Sequence, residues 1–145
     1  MKKKKLEAIF LAATMTATSA FGSMPAIAFA AEDTQVVNAK VDYMVNPVGL
    51  AKEDVKFSWA MTSSDTGAAQ TAYQIVVCEG SADGAIVWDS GKVDGSESVG
   101  IPYGGNTALQ DAARYYWTVT ITDKDGNTAV SDPAYFETAG SIDGA

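Results

Sequence analysis

The sequence predicts an all-β domain, a seven-stranded antiparallel sandwich of two sheets preceded by a signal peptide. Three observations carry that expectation. From residue 31 onward apolar side chains alternate with a period of two, and no helical period is sustained. The segments so marked are short and are punctuated by Gly, Asn, Asp and Pro, the residues that tight reversals require. In the clearest segment, residues 115–122, Tyr115, Trp117, Val119 and Ile121 point one way while Tyr116, Thr118, Thr120 and Thr122 point the other. One dry face and one wet face is what an antiparallel sheet covering a core displays.

Residues 1–30 are read as an export leader. Lys2, Lys3, Lys4 and Lys5 supply its positive start, and an apolar stretch follows over residues 8–15. The small-x-small triplet Ala28-Phe29-Ala30 places cleavage after Ala30. An uncleaved anchor is the competing reading, since residues 6–31 are long enough to span a membrane. The interruptions at Thr14, Thr16, Thr18, Gly22 and Pro25 argue against it.

The sandwich is expected over residues 31–138, with 139–145 as a short tail or truncation point. Residues 36–45 form the first strand, ended by Asn46-Pro47, where proline removes a ladder donor. Val55, Phe57, Trp59 and Met61 share one face of the second, with Lys56, Ser58 and Ala60 on the other. Residues 72–79 follow, with Tyr73, Ile75 and Val77 alternating against Gln74, Val76 and Cys78. Residues 85–88 make a short strand closed by Asp89-Ser90-Gly91, and residues 97–103 another, with Val99 and Ile101 in register. The strand at 115–122 leads through the turn Asp123-Lys124-Asp125-Gly126-Asn127 to a last strand at 129–138, whose Pro133 marks an edge or a bulge. A single helical turn over residues 108–113 is the one departure from strand. The expected core is Phe57, Trp59, Tyr73, Ile75, Leu109, Tyr115, Trp117 and Val119.

Seven short strands over roughly 105 residues fit a sandwich of the immunoglobulin or fibronectin type III sort. Leu109, six residues before Tyr115, resembles the tyrosine corner of fibronectin type III domains. That resemblance implies a phenol hydroxyl capping the backbone of the preceding crossover. A narrower likeness lies in the words Val45-Asn46-Pro47-Val48-Gly49-Leu50, Phe57-Ser58-Trp59, Gln70-Thr71-Ala72-Tyr73-Gln74-Ile75, Trp88-Asp89-Ser90-Gly91-Lys92-Val93, Tyr115-Tyr116-Trp117-Thr118-Val119 and Tyr135-Phe136-Glu137-Thr138. In this order and spacing they resemble the N-terminal sandwich domain of bacterial α-L-rhamnosidases of glycoside hydrolase family 78. In that family the chain continues into further β domains and a helical barrel that carries the catalytic carboxylates. This sequence ends seven residues after Thr138, and no position matches the general acid or general base.

The chemistry available is correspondingly narrow. With no histidine and one cysteine, histidine-dependent catalysis, Cys/His zinc sites and an internal disulfide are excluded. Removal of the leader leaves six basic and seventeen acidic residues, a net charge near −11. Such a field repels phosphate backbones and anionic lipid, so neither nucleic acid nor, after cleavage, a membrane is an expected partner. A glycosidase needs two facing carboxylates, whereas these acids concentrate in turns. The run Asp123-x-Asp125-x-Asn127 has its glycine at the fourth place instead of the sixth and Ala134 where a calcium loop needs a bidentate glutamate, and a plain hairpin turn explains it. No cofactor or metal is called for. The candidate contact residues are Val76 and Cys78, lining an outward sheet face that a neighbouring domain would cover, and Trp88, Tyr103, Tyr116 and Tyr135 as a stacking platform for sugar rings. The expected role is a non-catalytic accessory module that packs against other domains of an exported glycoside hydrolase; the alternative is a self-standing extracellular glycan-binding module.

Overall fold

The computed structural model describes residues 34–142; the expected leader and its cleavage point lie outside the described residues. Among the described residues nine strands run in order: β1 (Gln35–Val41), β2 (Lys56–Thr62), β3 (Gln70–Glu79), β4 (Ile86–Asp89), β5 (Val93–Asp94), β6 (Ile101–Pro102), β7 (Arg114–Asp123), β8 (Thr128–Val130) and β9 (Ala134–Glu137). They form two sheets. One has the order β1-β2-β6; in the other, β4-β3-β7-β8 run side by side while β5 also pairs with β3 and β9 with β7. All the strand pairings are antiparallel. The expected two-sheet antiparallel sandwich is what forms.

The core lies between the sheets because each long strand buries alternate residues. Phe57 and Trp59 enter from β2, Tyr73, Ile75 and Val77 from β3, and Tyr115, Trp117, Val119 and Ile121 from β7; Val41, Leu50, Val55, Leu109 and Phe136 complete the cluster. Phe57 is the hub of its aromatic contacts, with ring centroids 4.7 Å from Trp117, 5.9 Å from Trp88 and 6.0 Å from Phe136. Trp59 packs 5.2 Å from Tyr73 and donates its indole N–H to Gln70 Oε1 at 2.9 Å, so its one polar atom is satisfied while the ring stays dry. Tyr115 stacks on Phe136, and its hydroxyl accepts from the Gln110 backbone N–H at 2.7 Å. That is the corner the Leu109–Tyr115 spacing implied.

Four local expectations are corrected. The first strand stops at Val41, because Asp42 and Tyr43 both take positive φ (47° and 64°) and Val41 and Met44 exchange backbone hydrogen bonds across them. This is the geometry of a type I′ turn. Of residues 97–103 only Ile101–Pro102 pairs as strand; Val99 is 63% exposed, since Gly100 at φ 71° breaks the run. The last segment is two strands, separated at Ser131-Asp132-Pro133, with Ser131 Oγ accepting from the Val119 N–H. Residues 108–113 form no helical turn: Ala112 sits at φ 52° and donates its N–H to the Ala139 carbonyl. The short helical turn falls at Lys52–Asp54 instead. Ordered pairing also runs one residue beyond Thr138, through Ala139, whose N–H meets the Leu50 carbonyl at 2.8 Å.

Candidate functional site

The six-stranded sheet has one face in the core and one turned outward, and the outward face carries the informative residues. On β7, Tyr116 and Thr118 alternate with the buried Tyr115, Trp117 and Val119. On β3, Val76 and Cys78 alternate with the buried Ile75 and Val77, although Cys78 is itself only 8% exposed. Register then aligns four strands. Cys78 is opposite Ile86 on β4 and opposite Tyr116 on β7, and Tyr116 is opposite Tyr135 on β9. Directly opposed residues lie on one face. Ile86, Cys78, Tyr116 and Tyr135 therefore make a transverse apolar row, with Ile86 62% exposed at its end. A shallow groove beside the row is lined by Val76, Cys78, Ala82, Tyr116 and Pro133. Ile86 enters the row only because a bulge between Val77 and Cys78 skips Val87 in the pairing with β4. No sequence period signals that shift.

The four aromatics expected to form one platform are split in two. Trp88 and Tyr103 belong to the core side, 5.2 Å apart edge to face, and both pack against the central cluster. Tyr103 donates its hydroxyl to the Thr107 carbonyl at 2.7 Å, and the Gly104-Gly105 backbone lies so close to both rings that no Cβ fits there without displacing them. Tyr116 and Tyr135 are on the outward face, 5.8 Å apart. Here Arg114 lies 4.4 Å over the Tyr135 ring, held in place by Glu137, which accepts its Nε–H at 2.6 Å. The guanidinium occupies a ring face on which a sugar would stack.

Two further titratable groups, Cys78 and Asp123, serve the structure. Burial, with a smaller contribution from the Asp83 charge, pushes the Cys78 thiol up, which keeps it protonated and unreactive. Alkylation of the native protein at neutral pH is expected to leave Cys78 unmodified and to go to completion in denaturant; mass spectrometry reads both, and rapid labelling of the folded chain would contradict the burial. In the β7–β8 hairpin, Asp123 Oδ1 accepts from the Asp125 and Asn127 backbone N–H groups, both at 2.9 Å, and Oδ2 accepts from the Asn127 side chain at 3.2 Å. The carboxylate that a calcium loop would need is thus spent on its own turn. Among the described residues no three of His, Cys, Asp and Glu gather as metal ligands. No helix there is long and apolar enough to cross a membrane.

Residues 36–141 match the family described as the Rha78A-like, N-terminal immunoglobulin domain. The chain belongs to that family. An alpha-L-rhamnosidase of Streptomyces avermitilis is 38% identical over 107 residues, which are 72% of this chain and 10% of that protein. One from Formosa agariphila is 36% identical over 110 residues, 72% of this chain and 11% of its own length. The crystal structure of the Streptomyces avermitilis enzyme complexed with L-rhamnose superposes with a TM-score of 0.68 at 40% identity, covering 73% of this chain and 10% of that one. The chain thus spans about a tenth of the length of these relatives. What matches is the N-terminal immunoglobulin domain alone, a small accessory part of proteins named as alpha-L-rhamnosidases.

Proposed function

We propose that this immunoglobulin domain packs against other domains of an exported α-L-rhamnosidase-like protein and holds them in position. The observation that carries the reading is the apolar row Ile86, Cys78, Tyr116 and Tyr135 running across four strands of an otherwise acidic domain. A contiguous apolar strip on an outward sheet face is the usual mark of an interface. The Arg114–Glu137 pair at its end adds a polar rim, as interfaces between domains have. Export rests on the leader at residues 1–30; sequencing of the secreted protein is expected to find Ala31 first. Arg114 seated on Tyr135 speaks against the alternative role as a glycan-stacking module.

A domain exchange tests the packing role. Residues 34–142 replace the N-terminal immunoglobulin domain of the Streptomyces avermitilis enzyme, and loss of hydrolytic activity on heating is followed. The exchanged enzyme is expected to resist heat like its parent, and Ile86→Lys within it is expected to lower the half-inactivation temperature by several degrees. An exchanged enzyme no more heat-resistant than one lacking the domain would defeat the proposal.

A further inference from the structure

The segment between β1 and the Lys52–Asp54 turn displays apolar side chains in a way the core does not explain. Tyr43 is 61% exposed, Met44 46%, Val45 65% and Val48 66%. Four large apolar side chains within six residues lie in water. The backbone that displays them is costly, since Asp42, Tyr43 and Asn46 all take positive φ (47°, 64° and 48°), a region that side chains other than glycine occupy at a steric penalty.

The loop is nonetheless fixed. Asn46 Oδ1 accepts from the Tyr135 N–H at 3.0 Å, the Pro47 carbonyl accepts from the Glu137 N–H at 2.9 Å, and the Leu50 N–H reaches the Glu137 carbonyl at 2.9 Å. These bonds set the loop along the free side of β9, next to Tyr135 at the end of the outward row. They also set it where the polypeptide leaves the sandwich, because Leu50 is bonded to Ala139. Charge points the same way. Residues 34–142 hold fourteen acidic and six basic side chains, yet residues 43–50 hold none of either sign. Depletion of charge around exposed aromatic, Met and Val side chains is the composition of the buried centre of an interface.

We propose that the loop at residues 42–50 is the docking surface for the domain that follows this one in longer members of the family. The inference rests on the packing role above and adds where the contact is made and with which neighbour. The occupant is the next domain in the same polypeptide, because that domain emerges beside the loop and needs no diffusional encounter to reach it. Asn46 joins the loop to Tyr135 at the end of the apolar row, while Tyr43 at the loop's other end lies beside Gly100.

Hydroxyl-radical footprinting read by mass spectrometry tests this on the chain alone and on the exchanged enzyme. In the chain alone Tyr43, Met44 and Ile86 are expected to oxidise readily. In the exchanged enzyme Tyr43 and Met44 are expected to slow about fivefold or more. Unchanged rates at Tyr43 and Met44 with Ile86 protected would overturn the docking loop and leave the packing role standing. Unchanged rates at all three would overturn both. If the exchanged enzyme fails to fold, the same readout is taken with the full chain added to the Streptomyces avermitilis enzyme lacking its own domain, with retained hydrolysis as the sign that this partner is folded. Protection of Met44 supports the loop; its absence, with Ile86 protected, overturns it.

Discussion

Trp117→Ala is expected to remove a large share of the stability of the domain. Trp117 is 1% exposed and meets Phe57 at 4.7 Å in the centre of the cluster. Truncating a buried aromatic to alanine costs about 3–5 kcal/mol, through lost transfer energy and the cavity left behind. Domains of this size are stable by about 5–15 kcal/mol, so the loss is a large share of the whole. Urea unfolding followed by circular dichroism measures the loss, and a change below about 1 kcal/mol would mean that the indole is not the central filler described. A contrast sharpens the test. The Trp117 indole N–H has no hydrogen-bond partner among the described residues, whereas that of Trp59 is bonded to Gln70. Both Trp→Phe changes remove similar volume, but only Trp59→Phe breaks a hydrogen bond, so it is expected to cost about 1 kcal/mol more.

Asp123→Ala is the second large effect, and it carries a pH signature. The side chain satisfies three donors of the β7–β8 hairpin, and hydrogen bonds to a charged group are worth about 1.5–3 kcal/mol. A loss of about 2–3 kcal/mol is expected, together with faster amide exchange at Asp125 and Asn127. Burial disfavours the charge of Asp123, but the backbone and side chain of Asn127 and the backbone of Asp125 outweigh it, so its carboxyl stays below the usual range. A group whose folded pKa is depressed stabilises the fold fully above its unfolded value. That contribution is lost as the pH falls from about 4 through the lower folded pKa. Unfolding midpoints taken from pH 6 down to pH 2 should fall in the wild type, and the fall should be smaller in Asp123→Asn, which cannot ionise. Asp65, held low by the Gly67 N–H and by Lys124, contributes the same sign and leaves a residual slope. Identical pH profiles for the two proteins would refute the assignment to Asp123.

The sequence made some elements legible and hid others for physical reasons. β7 was readable because its two faces differ in polarity over residues 115–122, and β3 because Tyr73, Ile75 and Val77 alternate along it; the core followed from them. The end of β1 was not, since the apolar alternation continues through Tyr43 and Val45 while the chain reverses at Asp42-Tyr43 without the glycine that usually marks such a turn. Residues 97–103 misled in the same way, with Val99 and Ile101 in step but Gly100 turning the backbone between them. The alanines at 108–113 suggested a helix by propensity, yet Tyr115 holds the Gln110 N–H and fixes another path. Of the site, Val76, Cys78, Tyr116 and Tyr135 were legible as outward residues. Ile86 was not, since its place depends on a bulge. Nor were Tyr43 and Met44, because exposure of an apolar loop is a property of the fold and not of any period.

The end of β9 has a mechanical consequence. Between Glu137 and Ala139 the chain is bonded to Leu50 on one side and to Ala112, Ala113 and Arg114 on the other, with Leu50 and Thr138 running parallel. Tension applied to the polypeptide beyond Ala139 is shared between two flanking segments at once, one of them reaching back to the first third of the chain. Pulling would have to break both sets together rather than unzip a single edge, so the terminus is anchored as a tether that transmits force into the sandwich without fraying it.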